Sequence, residues 1–356
     1  MFVHLAALIA QAAAPAPQKS WPIGEGDAVL RDFRFASGET LPQVRMHYTT
    51  LGRPHRNAAG DIDNAVMVLH GTGGTGRQFL QPQFADELYG PGQPLDTEKY
   101  WIILPDNIGH GGSAKPSDGL RMKFPAYDYD DMVEAQRQML ATLGVKRLRL
   151  LLGTSMGCMH AFVWSEKYPD FARALMPLAC QPVEIAGANR TWRQLSINAI
   201  KADPAWRSGN YQDQPWQGLR TAASLSVVVG SAPLYWQSQY PTRETAAAYA
   251  EQRILTGLKT LDANDYIYQL ESSRNYNPWP RLERITAPMM WINSADDYIN
   301  PHNLPYPRQA VKRMKNARFR LIAETNDTRG HGTHTWAKFW KDDLVDLLAR
   351  TESARH

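Results

Sequence analysis

LLLGTSMGCMH, residues 150–160, runs from a leucine stretch into a glycine, a lone serine and a second glycine. A short apolar run that stops at glycine reads as a buried strand, and the residues beyond read as a helix. Gly153-Thr154-Ser155-Met156-Gly157 then matches G-x-S-x-G between strand and helix. A strand that turns at once into a helix brings backbone against backbone, so a Cβ at either flank would clash. The turn lifts Ser155 Oγ above the carboxyl edge of a sheet. It also aims the Met156 N–H and the helix N-terminus at one point, where a developing oxyanion can sit.

Working outward, similar apolar runs recur: AVMVLH (65–70), WIIL (101–104), ALMPLA (174–179), MMWI (289–292) and FRLI (319–322). Between two of them, residues 129–143 place Met132, Met139, Leu140 and Leu143 on one helical face and end at Gly144. Strands alternating with helices predict a mostly parallel sheet covered on both faces. Residues 29–36 and 44–50 predict an antiparallel pair at its edge. The alternation breaks at about 181–284, where helical patterns and tryptophans (Trp192, Trp206, Trp216, Trp236, Trp279) replace strand signals. Strands that complete the sheet follow this block, so it is expected to be a helical cap inserted into one domain, with the core formed by 21–180 and 285–356.

A serine hydroxyl needs a base, and the base needs an orienting acid. On a sheet of this kind both follow the serine in the chain, acid first. Past the run 289–292 comes Asn293-Ser294-Ala295-Asp296-Asp297. Asp297 is the expected acid and Asp296 its rival, the loser being a solvated turn residue. Past 319–322 comes Arg329-Gly330-His331-Gly332-Thr333-His334. His331 is the expected base and His334 the alternative. His70-Gly71-Thr72-Gly73-Gly74 follows the strand at 65–70, where small residues let a loop approach a substrate carbonyl. The Thr72 N–H is therefore expected to complete an oxyanion hole with Met156. His110 precedes the serine and reads as pocket wall; His160 reads as packing within the helix.

Composition excludes several other readings. Hydrophobic residues make up 43% and charged residues 21%, with a formal net charge of +4, which suits a folded globular protein and not a nucleic-acid binder. The two cysteines, Cys158 and Cys180, are too few for a disulfide framework and are expected as small buried side chains. The spacing of His331 and His334 lacks a third metal ligand, and no GKS or GKT follows the glycines at 71–74. No metal and no cofactor are implied. The N-terminal MFVHLAALIAQAAAPAPQKS has an apolar stretch at 2–10 and alanines at 12–14, the pattern of a signal peptide with a leader to about residue 20, although it contains no arginine and no lysine before Lys19. No other segment reaches the roughly 18 apolar residues of a membrane span, so no stable membrane insertion is expected.

With these pieces in place, the chain resembles the α/β-hydrolases of the homoserine O-acetyltransferase-like group over about 32–348. LDTEKYWIILPDNIGHGGSAKPS (95–117) resembles a loop of that group, and FPAYDYDDMVEAQRQMLATLGVKRLRLLLGTSMGCMHAFVWSEKYPD (124–170) resembles its helix, serine turn and following helix. AIKADPAWRSGNYQDQPWQGLRTA (199–222) and LDANDYIYQL (261–270) are similar to its cap. The resemblance implies an α/β-hydrolase fold, a mostly parallel eight-stranded sheet flanked by helices with an inserted helical cap. It also implies acyl-serine chemistry.

Two departures bear on substrate. The group follows its catalytic histidine with an aspartate, where this chain has Gly332. The group also carries a Thr-Tyr-Arg type stretch in the cap, where this chain reads LSVVVGSAPLYWQ (225–237). Losing such polar recognition groups should abolish homoserine specificity. The expectation is an exported serine hydrolase that cleaves a small-molecule carboxylic ester, with an O-acyltransferase as the alternative and a cytoplasmic location if the leader is not cleaved. A homodimer is left open.

Overall fold

The computed structural model describes residues 20–352. The expected leader lies, apart from Ser20, outside the described residues. Eight strands form one sheet in the order β1-β2-β4-β3-β5-β6-β7-β8: β1 (Ile23–Arg34), β2 (Thr40–Leu51), β3 (Ala65–Leu69), β4 (Trp101–Pro105), β5 (Leu150–Thr154), β6 (Leu175–Leu178), β7 (Met289–Ser294) and β8 (Ala317–Ile322). The first two pair antiparallel, β2 joins β4 antiparallel, and every later pair is parallel. The edge pair expected from 29–36 and 44–50 is therefore present, with β1 starting earlier but ending at Arg34 and β2 longer at both ends.

The sequence pattern explains the layering. Strands β3 to β7 are buried at every residue, as continuous Val/Ile/Leu runs require when both faces are covered. Alternate side chains serve opposite cores. Met67, Leu69 and Leu151 join helices α2 (Tyr129–Thr142) and α3 (Met156–Lys167) on one face. Val66, Val68, Leu150 and Leu152 join α1 (Pro82–Leu88) and α10 (Lys341–Glu352) on the other. Helix α2 starts at a reciprocal Asp128/Asp131 capping box. It stops at Gly144, whose φ of 75° suits the residue past a helix end.

Between β6 and β7 lie α4 (Gly187–Ala202), α5 (Trp216–Val229), α6 (Pro233–Gln239), α7 (Arg243–Leu258) and α8 (Ala263–Glu271). Ile197, Ile200, Leu219, Ala222, Ile267 and Leu270 give α4, α5 and α8 a small core of their own. Helix α9 (Tyr306–Arg313) links β7 to β8. Strand order reverses around β3, which lies between β4 and β5. Such a switch point opens a crevice at the carboxyl ends of the strands, and there the loops after β3 and β5 meet.

Candidate active site

Ser155 is the turn between β5 and α3, with φ 54° and ψ −111°. A non-glycine residue held there stores about 1–3 kcal/mol of strain, and its surroundings hold it firmly. The Ser155 N–H donates to Leu178 O at 2.8 Å, and the Gly157 N–H to His70 O at 3.0 Å. A Cβ on Gly153 would stand 2.0 Å from Gly157 O, and one on Gly157 would stand 2.2 Å from Leu69 O. Both positions thus demand glycine for the close approach read from the sequence.

Ser155 Oγ lies 2.8 Å from His331 Nε2, and His331 Nδ1 lies 2.8 Å from Asp297 Oδ2. Asp297 is buried and also accepts from the Ile299 N–H at 2.8 Å, the Asn300 N–H at 3.2 Å and Asn300 Nδ2 at 2.8 Å. Burial alone would raise its pKa; the facing His331 and these hydrogen bonds outweigh it and hold the carboxyl below its ordinary value. With Asp297 ionised, His331 Nδ1 must carry the proton it shares, which leaves Nε2 to accept from the serine hydroxyl.

His334 does not reach the serine. It is half-buried, its inaccessible Nδ1 has no partner among the described residues, and its ring stands 5.1 Å from that of His331. Burial and the neighbouring His331 push its pKa down to about 3, so it is neutral packing behind the site. Asp296 corrects the expectation of a solvated turn residue. It accepts from Thr328 Oγ1 at 2.7 Å and from the Gly330 N–H at 2.9 Å, and so pins the loop that carries His331. Thr328 and Gly330 are buried, which is why this carboxylate turns inward.

The Thr72 loop closes as a turn, the Gly74 N–H donating to Gly71 O at 3.0 Å with Gly73 at φ 72°. A Cβ on Gly71 would stand 3.2 Å from Ser155 Cβ, so the loop passes directly over the serine. Met156 opens α3, where its N–H has no intrahelical acceptor. Beneath the loop, His70 Nδ1 donates to Gly71 O at 2.8 Å, and its Nε2 accepts from the Asn107 N–H at 3.0 Å. His110 Nε2 lies 3.4 Å from the Gly73 N–H, and His160 packs edge-on against Tyr129 inside the core. Burial lowers the pKa of all three histidines.

Ser155, His331 and Thr72 face a cavity of about 160 Å3. The cap contributes Asn189, Trp192 and Arg193 from α4, Ser226, Val229 and Gly230 from α5 and its end, and Tyr266 from α8. Of the tryptophans in the inserted block only Trp192 lines it. Trp206 packs in the cap core and Trp216 is exposed. Arg329 is held between the rings of Tyr235 on α6 and Trp336, at 3.4 and 4.7 Å from their centroids. It thereby fastens the cap to the histidine loop.

The cysteines overturn the expectation of two separate small side chains. Cys158 and Cys180 form a disulfide, with Cα atoms 5.8 Å apart. The bond from the Ser155 N–H to Leu178 O sets the first turn of α3 beside the end of β6, which brings the two residues together. Cys180 also lines the cavity. Among the described residues no group of three or more His, Cys, Asp or Glu is arranged to hold a metal ion. None of the described helices is long and apolar enough to cross a membrane.

Residues 64–327 match the family description alpha/beta hydrolase fold. A homoserine O-acetyltransferase of Moorella thermoacetica is 31% identical over 344 residues, covering 83% of this chain and 87% of that protein. One of Solidesulfovibrio magneticus is 31% identical over 299 residues, covering 80% and 72%. Among solved structures, homoserine O-acetyltransferase from Bacillus anthracis superposes with a TM-score of 0.80 at 21% identity, over 92% of this chain and 97% of that one. Esterase E22 superposes with a TM-score of 0.81 at 19% identity, over 92% and 100%; at these identities the structures bear on the fold alone. The chain belongs to the α/β-hydrolase fold family, in its homoserine O-acetyltransferase-like group. It is an enzyme of the hydrolase or acyltransferase type, working through an acyl-enzyme.

Proposed function

We propose that this protein is an exported serine esterase with Ser155, His331 and Asp297 as its catalytic triad. The observation that carries the reading is the continuous relay from Asp297 through His331 to Ser155, with 2.8 Å at each step, opening into the cavity. Ser155 Oγ attacks the ester carbonyl while His331 Nε2 takes its proton. Asp297 holds the imidazole in that tautomer and stabilises the imidazolium. The N–H groups of Met156 and Thr72 receive the oxyanion, a service commonly worth about 3–4 kcal/mol per donor. His331 returns the proton to the departing alkoxide, leaving an acyl-serine. Water then attacks, gives its proton to His331 and releases the acid, and Ser155 is restored.

Water is favoured as the acceptor by what the cavity wall lacks. The stretch 225–237 supplies Ser226, Val229 and Gly230 there, with no tyrosine–arginine pair, and Gly332 stands after the histidine. Export is supported by the leader pattern and by the Cys158–Cys180 pairing, since disulfides persist in oxidising compartments. The second reading, an O-acyltransferase, is favoured by the names of the relatives and shares the same acyl-serine.

The deciding experiment is turnover of p-nitrophenyl acetate and butyrate by the protein and by Ser155→Ala, with and without homoserine and acetyl-CoA. Cleavage that vanishes in the variant and ignores both additions supports the esterase. Little cleavage alone, with fast CoA release once an alcohol is present, rejects it in favour of transfer.

A further inference from the structure

The cavity over Ser155 contains a charge that none of its neighbours neutralises. Arg193, on α4, is 2% exposed and lines the cavity together with Ser155 and His331. Its Nε donates to Asn189 Oδ1 at 3.1 Å and one terminal nitrogen to Leu270 O at 3.4 Å, both neutral acceptors. Glu271, next in the chain after Leu270, pairs instead with Arg190 at 3.1 Å. Among the described residues no aspartate or glutamate lines the cavity. Ser226 Oγ and the Tyr266 hydroxyl, 2.7 Å apart, share this wall. Burial raises the phenols of Tyr129 and Tyr266, and the Arg193 charge opposes that rise in both, which places the guanidinium between core and cap.

A guanidinium is charged at every working pH and offers a planar fork of donors matched to a carboxylate. Keeping one buried without a counter-ion is costly, and an anionic ligand removes that cost. We propose that Arg193 receives a carboxylate of the substrate, so that the ester taken by this site is a short one bearing a free carboxylate. This rests on the esterase reading and narrows it. A cavity of about 160 Å3 compares with the roughly 150 Å3 that accommodates benzene, so the ligand is compact. The wall holds a cationic partner for a carboxylate and no carboxylate for an ammonium, which favours acids over amino acids. The carboxylate belongs either to the acyl part, as in a half-ester of a short dicarboxylic acid, or to the alcohol part, as in an acylated hydroxy acid.

The test uses the full chain and two matched pairs. On the acyl side, p-nitrophenyl hydrogen glutarate is compared with p-nitrophenyl valerate. On the alcohol side, acetoxyacetate is compared with acetoxyacetamide, which has the same acetyl ester and no charge, by pH-stat. The carboxylate ester of one pair is expected to exceed its neutral partner at least tenfold in kcat/KM. That ratio should fall to near one in Arg193→Met and be partly kept in Arg193→Lys. Calorimetric binding of glutarate against glutaramide, neither of them an ester, reads the same site without turnover, and circular dichroism checks that each variant folds. Ratios near one in both pairs alongside Ser155-dependent cleavage overturn the proposal, as does glutarate binding that survives Arg193→Met. Glutarate held through Arg193 by a protein that cleaves no ester would keep the carboxylate site and reject the esterase reading.

Discussion

Asp296 and Asp297 are adjacent carboxylates with separate tasks. Asp297 faces His331 Nδ1, whereas Asp296 accepts from Thr328 and Gly330 and touches neither His331 nitrogen through a hydrogen bond. Asp297→Asn should lower kcat by about 10^4-fold with KM little changed, because an amide favours the wrong tautomer of the imidazole. Asp296→Asn keeps one acceptor for the loop and should cost less than about tenfold. Steady-state kinetics on one neutral ester measures both; equal losses would contradict the division of labour. The positions of Ser155, Asp297 and His331 were legible in the sequence because each lies in the loop that follows a strand, and strands announce themselves as apolar runs. Choosing between His331 and His334 was not, since the choice depends on which ring the docked loop brings to Ser155 and Asp297. Arg193 gave no signal at all: an arginine on an amphipathic helix reads as solvent-facing until its helix is docked.

At the scale of the element, glycines separate what the serine turn requires from what it tolerates. Gly157 has Leu69 O 2.2 Å from where a Cβ would stand, and Gly332, beside His331, has nothing closer than Arg329 Cβ at 3.6 Å. Gly157→Ala should destabilise by about 3 kcal/mol or more through overpacking, whereas Gly332→Ala should leave the melting temperature within a few degrees. The disulfide acts on the same turn from below. Cys158→Ser with Cys180→Ser should cost about 2–4 kcal/mol for a closed loop of this length, seen as an equal loss when the native protein is melted in reductant. A double variant as stable as the native protein would reject that role. The strands were legible to within a few residues, because runs such as WIIL suit a sheet covered on both faces. The pairing of Cys158 with Cys180 was not: they stand 22 positions apart, and only the docking of α3 beside β6 brings them together. The cap was legible as an inserted helical block at about 181–284, but not its internal packing, for α4, α5 and α8 bury their apolar faces against one another.

For the whole molecule the buried histidines set the response to acid. His70, His110 and His160 are fully buried and His334 is half-buried, and burial is the largest cause lowering each of their pKa values, to about 3 for His160 and His334. In the unfolded chain a histidine titrates near 6.5. Between these limits the unfolded state binds more protons, so their stabilising contribution is complete above about pH 6.5 and is lost as pH falls. Asp131 and Asp265 work the other way. Burial raises both to about 6, so below that pH the folded chain holds their protons more tightly and gains stability as they fill. Asp297 lies below its ordinary value, so its contribution disappears only under about pH 4 and does not enter the window. With four groups opposed by two, the unfolded chain takes up the greater number of protons, so stability is expected to fall as pH drops below about 6. Urea midpoints at pH 7.5, 6, 5 and 4.5 measure that slope. His160→Phe keeps the aromatic contact with Tyr129 and removes one titrating group, so its slope should be shallower by about 1.4 kcal/mol per pH unit whatever its stability at pH 7.5. A native profile flat from pH 6.5 to 5 would mean that these histidines open to water before the sheet does.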